Sequence, residues 1–321
     1  YILNGQKTYI TNGNYAGGLT VFAQLDPKRA GFMGAFIVET AWDGVNIGKD
    51  MPKMGLTISS TAAMTFENVR VPVENLLGSP GDGFKIAMTI LNYGRLGLGA
   101  ASVGMMVQSL KDMSERASSR KQFGVPIREF ELIQEKIVQA RVRGYTASAM
   151  NTFTARLLEE NPIAQAAIES SHCKLFGTTR AWDTLYDALQ VAGGAGYLAT
   201  HPYEKRIRDF RVTTVFEGTT EIHSIYPPLY LIRNLGKEMK RMGLNLFSRP
   251  VFLVKRALKR AALPLHFDNP VMDKGANLAR KNAGSIRRMI HLGLLIHGKK
   301  ITKKEFLLRR ITSLSLDLFA I

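Results

Sequence analysis

The chain has 321 residues, of which 45% are hydrophobic and 21% charged, a balance typical of folded globular proteins rather than of disordered ones. A single cysteine excludes a disulfide framework, and the six histidines show no i, i+4 pairing with a carboxylate, so no metal site is predicted. The net charge of +17 is concentrated in residues 237–321, which contain 19 basic and 5 acidic residues. This asymmetry favours an anionic partner, either a membrane surface or a nucleic acid, although a solvated basic face has the same composition.

The first 77 residues contain short apolar segments separated by turn residues, which predicts a β-rich domain. Asn4-Gly5 is typical of a two-residue hairpin turn, which would separate strands at residues 1–3 and 7–11. The remaining strands are predicted at residues 19–25, 34–39, 63–66 and 69–73, with a turn-rich loop at residues 26–31. Because a natural chain rarely begins inside a hairpin, we expect a further N-terminal segment to precede Tyr1.

From Gly83 onward, apolar residues recur at helical spacing. The predicted helices cover residues 84–108, 112–119, 130–159, 163–189, 219–235, 252–263, 286–296 and 306–319. Pro162 is placed at a helix start, and Pro227-Pro228 are expected to perturb the helix that contains them. The glycine-rich residues 192–202 are not expected to form an ordinary helix, and residues 211–215 are predicted to be strand-like.

The helix predicted at residues 252–263 separates basic from apolar side chains. Its basic positions are Lys255, Arg256, Lys259 and Arg260, and its apolar positions are Val254, Ala257, Leu258 and Ala261. A basic amphipathic helix of this kind can lie in a membrane interface. An ordinary surface helix packed against the protein has the same pattern, so both interpretations stay open.

The segment at residues 216–222 has the composition of a catalytic loop. Glu217 stands between the aromatic Phe216 and the glycine Gly218. An apolar wall makes a carboxylate a stronger base, and a glycine leaves room for a substrate to approach, so Glu217 is a candidate general base. A glutamate placed near a helix N-terminus for its favourable dipole interaction is the alternative.

Two further segments suggest a site for a phosphate-containing ligand. In residues 120–124, the Arg120 guanidinium can bind a pyrophosphate, and the Phe123 ring can cover a flavin or an adenine, although arginine beside phenylalanine is also common on bundle surfaces. Residues 190–196 are rich in glycine, which would let backbone amides contact a phosphate or sugar. A loop that merely terminates a helix is the alternative for the second segment.

Seven motifs, taken in chain order, resemble those of the acyl-CoA dehydrogenase family. They lie at residues 9–13, 53–55, 66–72, 91–95, 120–124, 190–194 and 216–222. The resemblance extends over about residues 1–236, and the tail from residue 237 resembles the additional C-terminal domain of the very-long-chain branch.

The resemblance implies an α+β, mainly α fold. It places a partial middle β-domain at residues 1–77, a four-helix bundle that holds FAD and the catalytic base at residues 78–236, and an extra basic helical domain at residues 237–321. The N-terminal helical domain of the family is expected to be missing from these residues.

The resemblance also assigns site residues, with FAD held between the β-domain and the bundle. Tyr9, Ile10 and Thr11 would lie beside the isoalloxazine, with the Thr11 hydroxyl near flavin N5. Residues that would reach the FAD of the dimer mate are Arg120, Gln122, Phe123, Phe130, Gln190, Gly193 and Gly194, whereas Thr219 and Glu221 would contact FAD from the base-bearing loop. Asn92 and Arg95 match positions that contact the CoA part of the substrate, Gly218 leaves room for the substrate, and Glu217 is the base.

The implied activity is FAD-dependent dehydrogenation of a fatty acyl-CoA, expected to be long-chain, to a trans-2-enoyl-CoA in fatty-acid β-oxidation. An electron-transfer flavoprotein would accept the electrons, and the enzyme would be a homodimer. The expected location is a bacterial cytoplasm or the mitochondrial matrix and inner-membrane surface, with at most peripheral membrane contact, because no apolar run approaches the roughly 20 residues of a membrane span. The alternatives are a non-catalytic assembly or scaffold protein and a DNA-binding member of the same fold, of which DNA binding is less favoured.

Overall fold

The computed structural model describes residues 1–160, 166–245, 247–259 and 266–321. The strands are β1 (Ile2–Thr11), β2 (Gly18–Gln24), β3 (Met33–Glu39), β4 (Val45–Ile47), β5 (Thr61–Arg70), β6 (Leu76–Leu77), β7 (Lys121–Gln122) and β8 (Val125–Pro126). The helices are α1 (Gly83–Ser119), α2 (Glu131–Glu160), α3 (Ala167–Ala192), α4 (Gly194–Tyr197), α5 (Pro202–Phe210), α6 (Thr220–Arg241), α7 (Ser248–Leu258), α8 (Pro270–His297) and α9 (Glu305–Ala320). The predicted α+β, mainly helical class is confirmed.

The chain divides into two compact units. The first contains Tyr1–Tyr93 with Glu204–Val212, and the second contains Gly94–Tyr203 with Thr213–Ile321. The proposed division into domains at residues 77 and 236 stays a prediction.

The first unit is built on two antiparallel three-stranded sheets, with strand orders β1-β5-β4 and β2-β3-β6. Apolar side chains from both sheets form its core: Leu3, Val21, Phe36, Val38, Met64, Phe66, Val69 and Val71. The strands predicted at residues 19–25 and 34–39 form as β2 and β3, and they pair in continuous register from Gly18 opposite Glu39 to Gln24 opposite Met33. Burial of one face of each sheet explains the short apolar segments of the sequence.

Asn4 and Gly5 do not form the predicted hairpin turn but lie inside β1. The pairing of β1 with β5 changes register between Leu3 and Gly5, which marks a β-bulge. Gly5 has a φ of 144°, and Asn4 Oδ1 accepts a hydrogen bond of 2.8 Å from the backbone N–H of Asn68 on β5. The hairpin prediction is wrong because the freedom of glycine is used here to bulge a paired strand rather than to reverse the chain.

Part of α5 packs in the first unit against the loop that precedes β5. The backbone N–H of Leu56 donates to Asp209 Oδ1 at 2.7 Å, and Arg208 Nη1 donates to the Met54 carbonyl at 3.1 Å. A Cβ at Gly55 would lie 2.3 Å from the Arg208 carbonyl oxygen. Glycine at position 55 therefore allows this close approach.

Several elements continue where the sequence predicts an interruption. Strand β5 includes both segments predicted at residues 63–66 and 69–73 as far as Arg70, and ends before Pro72. Helix α1 includes both helices predicted at residues 84–108 and 112–119. Helix α6 continues through the buried Pro227-Pro228, and the neighbouring helices α3 and α9 pack against it. Tertiary packing thus outweighs the local signals of glycine and proline.

The glycines of α1 have a packing role in the second unit. A Cβ at Gly99 would lie 2.5 Å from Asn151 Oδ1, and a Cβ at Gly177 would lie 3.2 Å from the Cα of Gly99. The two glycines therefore let α1 and α3 approach closely. Nearby, Asp187 of α3 binds Lys136 Nζ at 2.6 Å and Arg143 Nη1 at 2.9 Å, both from α2.

The C-terminal helices share a core with α6. Its buried members are Ile232, Leu235, Leu253, Ile286, Ile290, Ile301, Leu308 and Ile311. Helix α9 also reaches α3 and α2, because His172 Nε2 lies 2.9 Å from Ser315 Oγ and the Phe153 and Phe319 rings are 5.7 Å apart. Helices α8 and α9 extend the helices predicted at residues 286–296 and 306–319.

Helix α7 packs against the protein through only part of its predicted apolar face. Leu253 and Ala257 are buried, whereas Val254 is 38% and Leu258 77% exposed. Of the predicted apolar positions in the described residues, Ala257 therefore serves as a packing residue, together with Leu253. Arg260 and Ala261 lie outside the described residues, as does Pro162.

Residues 211–215 are not strand-like, because Arg211–Thr214 form a 3-10 helix directly after α5. β-branched residues favour a strand only where another strand pairs with them, and α5 instead leads the backbone onward in a helical turn. The short helix α4 and turns occupy the glycine-rich residues 192–202, which agrees with the prediction. Among the helices in the described ranges, none combines the length and apolar character needed to span a bilayer.

Candidate active site

The predicted base, Glu217, lies in the sharp turn that leads into α6. Glu217 has a φ of 55° and Gly218 a φ of 95°, so two successive residues adopt left-handed backbone conformations. Thr219 is the N-cap of α6, and its Oγ1 accepts a hydrogen bond of 3.3 Å from the Ile222 N–H. Glu221, rather than Glu217, occupies the first helical turn. Glu217 therefore precedes the helix and is not its dipole-stabilising residue.

Phe216 does not form the apolar wall that the sequence predicts. This residue is 39% exposed, and Glu217 is also exposed. The space beside the carboxylate comes instead from Gly94 on α1. A Cβ at Gly94 would lie 3.2 Å from Glu217 Oε2 and 3.3 Å from its Cδ, so any side chain at position 94 would crowd the carboxylate.

Two fully buried polar side chains hold the backbone of this turn. Lys174 Nζ on α3 donates a hydrogen bond of 2.5 Å to the Gly218 carbonyl oxygen. His223 Nε2 on α6 lies 3.0 Å from the Glu217 carbonyl oxygen, and its Nδ1 lies 2.7 Å from Ser171 Oγ. The successive backbone carbonyls of Glu217 and Gly218 are thus held by side chains of α6 and α3, respectively.

The turn lies in a positively charged environment. Arg95 is 5% exposed, with its guanidinium 5.1 Å from the centre of the Tyr226 ring. Burial, reinforced by the charge of Arg95, lowers the pKa of Lys174 to about 8, while Glu217 and Glu221 oppose this shift. Burial raises the pKa of Tyr226, against the effect of Arg95. Arg95 therefore lies among these groups, and its contact with CoA stays a prediction.

Four of the predicted FAD contacts come together at a hairpin after α1. Strands β7 and β8 pair so that Gln122 lies opposite Val125, and the two-residue turn consists of Phe123 at φ 52° and Gly124 at φ 86°. The Phe123 ring is 93% exposed and meets Phe130 edge-on, with 6.2 Å between ring centres. Arg120 begins the hairpin, and its carbonyl accepts a 2.9 Å hydrogen bond from Ile127. The turn therefore holds a large aromatic ring in solvent, three residues after Arg120.

The glycine-rich segment lies at the same end of the bundle. Gly193 ends α3 with a φ of 64°, and its N–H donates to the Gln190 carbonyl at 3.1 Å. Arg116, in the last turn of α1, donates a hydrogen bond of 3.4 Å to the Ala192 carbonyl. A Cβ at Gly193 or Gly194 would meet nothing within 4 Å. The loop therefore terminates α3, as the alternative interpretation expects, and its backbone is also accessible to a ligand.

In the first unit, Tyr9, Ile10 and Thr11 lie at the end of β1. Tyr9 has a φ of 61° at a second register shift, and its side chain is 76% exposed. Thr11 returns to register opposite Thr61. Asn92 belongs to the part of α1 in the same unit. The bulge turns Tyr9 out of the strand alternation, which is a frequent arrangement near binding sites.

Sequence reasoning missed Gly94 as a neighbour of the base, and it missed Lys174, His223 and Ser171. A weak local signal is that Ser171 and Lys174 are polar residues at i, i+3, which places them on one face of α3. Their partners lie more than 40 residues away in the sequence.

Other chemistries have little support in the described part of the chain. Within it, no three His, Cys, Asp or Glu residues are arranged to hold a metal ion. Cys173 is buried, and burial raises the pKa of its thiol to about 12, so it stays protonated and is a poor nucleophile.

Comparison with known proteins identifies the family of the chain. The middle domain of acyl-CoA dehydrogenases matches residues 1–69, and their C-terminal domain matches residues 81–225. The human mitochondrial very-long-chain specific acyl-CoA dehydrogenase is 33% identical over 338 aligned residues, which cover 100% of this chain and 52% of the relative. The mouse mitochondrial short-chain specific enzyme is 37% identical and covers 73% of this chain and 57% of the relative. This chain thus spans about half the length of the curated relatives it matches.

The solved structures lead to the same family. An acyl-CoA dehydrogenase complexed with FAD from Bacillus anthracis superimposes with a TM-score of 0.84 at 32% identity, over 100% of this chain and 56% of that one. The butyryl-CoA dehydrogenase of Megasphaera elsdenii gives a TM-score of 0.68 at 33% identity, over 72% of this chain and 60% of that one. The chain belongs to the acyl-CoA dehydrogenase family. Its similarity to the very-long-chain enzymes extends through the basic tail.

Proposed function

We propose that this protein catalyses FAD-dependent α,β-dehydrogenation of a fatty acyl-CoA, with Glu217 as the base that takes the α-proton. The observation that carries the proposal is an exposed carboxylate on a backbone turn held by two buried side chains, with Gly94 leaving space beside it. A long-chain substrate and a role in fatty-acid β-oxidation are supported by the alignment with very-long-chain enzymes over the whole chain.

The residues at the end of the bundle suit the chemistry of FAD. An exposed Phe123 ring can stack on a planar ring system, and Arg120 can bind a pyrophosphate. The Gly194 amide can add a further contact, and Gly193 leaves the backbone open to a ligand, although its own N–H is bonded to the Gln190 carbonyl. Of the other predicted contacts, Gln122 lies in the hairpin, Phe130 meets the Phe123 ring, and Gln190 is in the last turn of α3 before Gly193. We assign Tyr9, Ile10 and Thr11 to the isoalloxazine, and Thr219 and Glu221 to further contacts. FAD, when bound, supplies the acceptor for the hydride that leaves the β-carbon.

The chain's own residues would manage the proton. The α-carbon–hydrogen bond breaks as Glu217 takes the proton, the β-hydrogen departs with both electrons, and a double bond remains between the two carbons. The substrate would thus lose two electrons, which FAD, when bound, would accept. Gly218 leaves room for the thioester, and Asn92 and Arg95 are assigned to the CoA part. Orientation matters as much as basicity, because both bonds break at adjacent carbons.

The partners follow from the same assignment. We propose a homodimer in which Arg120, Gln122 and Phe123 reach the FAD of the other subunit, since the exposed hairpin suits a contact beyond its own subunit. An electron-transfer flavoprotein is the proposed acceptor; one similar solved structure is described as an electron transferring flavoprotein of Acidaminococcus fermentans. The proposed location is a bacterial cytoplasm or the mitochondrial matrix and inner-membrane surface.

Peripheral membrane contact through α7 is supported by its exposed side chains. The exposed apolar side chains are Val251, Val254 and Leu258. Two exposed lysines alternate with them, Lys255 directly after Val254 and Lys259 directly after Leu258. Apolar residues interleaved with cations favour an anionic lipid surface. Binding to anionic liposomes but not to neutral ones would support this contact, whereas steeply salt-dependent DNA binding without liposome binding would favour the nucleic-acid alternative.

Anaerobic mixing with a long-chain acyl-CoA tests the main proposal. The protein is loaded with FAD, and the visible flavin absorbance is followed in the parent and in Glu217→Gln. We expect bleaching in the parent and a rate at least about 10²-fold lower in the variant. Bleaching at equal rates in both proteins would refute Glu217 as the base. FAD binding without bleaching in either protein would favour the scaffold or DNA-binding alternative.

A further inference from the structure

The backbone conformation of Glu217 needs support from its surroundings. A residue with a side chain rarely adopts the left-handed region, yet Glu217 does so at φ 55°, immediately before Gly218 at φ 95°. The side chain is exposed, so packing of the carboxylate itself does not hold this conformation. The orientation of the carboxylate is therefore set by the contacts of the backbone.

The first contact comes from His223, and it fixes the tautomer of the ring. A carbonyl oxygen can only accept, so Nε2 must carry the hydrogen that points at the Glu217 carbonyl 3.0 Å away. Burial lowers the pKa of His223 to about 4, so the ring is neutral and Nδ1 accepts from the Ser171 hydroxyl at 2.7 Å. A Cβ at Gly218 would lie 2.9 Å from Nε2, which explains why glycine follows the base.

The second contact comes from Lys174, one helical turn from Ser171 on α3. Its side chain is fully buried, and Nζ donates to the Gly218 carbonyl at 2.5 Å. An amine in this place is costly to bury, and a carbonyl acceptor satisfies one of its hydrogens. Ser171 and Lys174 share one face of α3 because they are three residues apart. From this face, Lys174 binds the Gly218 carbonyl directly, and Ser171 contacts the His223 ring that binds the Glu217 carbonyl.

We propose that Lys174 and His223 are positioning residues for Glu217, which fix its carboxylate beside Gly94 by binding two successive backbone carbonyls, those of Gly218 and Glu217. Neither side chain takes part in the proton transfer itself. The inference rests on the proposed role of Glu217 as the base.

The test compares variants that keep or lose the donor at each position. His223→Gln retains an N–H donor, whereas His223→Leu has similar bulk and none; Lys174→Gln and Lys174→Met form the second pair. His172→Gln is the matched control, because His172 is an equally buried histidine of α3 whose Nε2 contacts Ser315 instead. For each FAD-loaded variant, the rate of flavin bleaching at saturating acyl-CoA, the KM and the hydrogen–deuterium exchange of peptides covering residues 214–222 are measured.

We expect His223→Leu and Lys174→Met to bleach about 10–10²-fold more slowly, with KM within about twofold of the parent and faster exchange in the 214–222 peptides. His223→Gln should recover most of the rate, and His172→Gln should match the parent. If Glu217→Gln is slow but His223→Leu and Lys174→Met bleach and exchange like the parent, the positioning role is refuted while the base stands. Equal slowing in His172→Gln, or no recovery in His223→Gln, would also contradict it. If the parent itself does not bleach, the proposed function fails, and unchanged exchange in the two donor-less variants would refute the positioning role separately.

Discussion

Acidification should destabilise this protein through two buried histidines. His172 and His223 are at most 1% exposed, and burial lowers the pKa of each from 6.5 to about 4, with the charge of His223 contributing to the shift of His172. Between these values the unfolded chain binds protons that the folded protein does not. The free energy of unfolding must therefore fall as the pH drops through 6.5 and continue to fall until about 4.

The magnitude follows from the two pKa values. At pH 4.5 an unfolded histidine is almost fully protonated, whereas a group with a pKa of about 4 is only about a quarter protonated. Each buried histidine should therefore lower the free energy of unfolding by about 2 kcal/mol when the pH falls from 7 to 4.5. Glu169 acts in the opposite direction, because burial raises the pKa of its carboxyl, but its contribution is common to all the proteins compared.

Urea denaturation of the parent and of His172→Gln at pH 7, 6, 5 and 4.5 measures this effect. The free energy of unfolding should fall between pH 7 and pH 4.5 by about 2 kcal/mol less in the variant than in the parent. This difference does not depend on how stable the variant is at pH 7. Ser109→Ala is the control, since Ser109 is equally buried but its hydroxyl does not titrate between pH 7 and pH 4.5, so its replacement should leave the loss unchanged. An identical loss in the parent and in His172→Gln would refute the assignment of acid sensitivity to this residue.

Two glycine predictions concern α1. Gly99→Ala should lower the free energy of unfolding by about 1–3 kcal/mol, because its Cβ would lie 2.5 Å from Asn151 Oδ1. Gly97→Ala should raise it by about 0.5–1 kcal/mol, because a Cβ there meets nothing within 4 Å and alanine favours the helix. Urea denaturation measures both variants, and equal effects would contradict the packing argument. Gly94→Ala should slow flavin bleaching by about tenfold at unchanged FAD affinity, because its Cβ would lie 3.2 Å from Glu217 Oε2. A parent-like rate in Gly94→Ala would show that the carboxylate does not depend on this space.

The sequence by itself determined the class of fold and the order of the motifs. Short apolar segments on either side of a turn-rich loop located β2 and β3, and apolar residues at helical spacing located α2. The residue types around Glu217 pointed to a general base, since an aromatic residue precedes it and a glycine that leaves room for a substrate follows it, while a helix N-terminal role was the alternative.

Only the tertiary structure decided what these local signals do. Asn4-Gly5 forms a bulge rather than a turn because β5 pairs along the whole of β1, and no window of a few residues contains that partner. Likewise, the turn at Glu217 depends on Lys174, which is 44 residues from Gly218, and on His223, whose ring contacts Ser171 of α3. These groups meet only when α3 packs against α6. No periodic pattern of the sequence links Ser171 or Lys174 to this turn. The sequence pattern therefore indicated the base but not the groups that hold it.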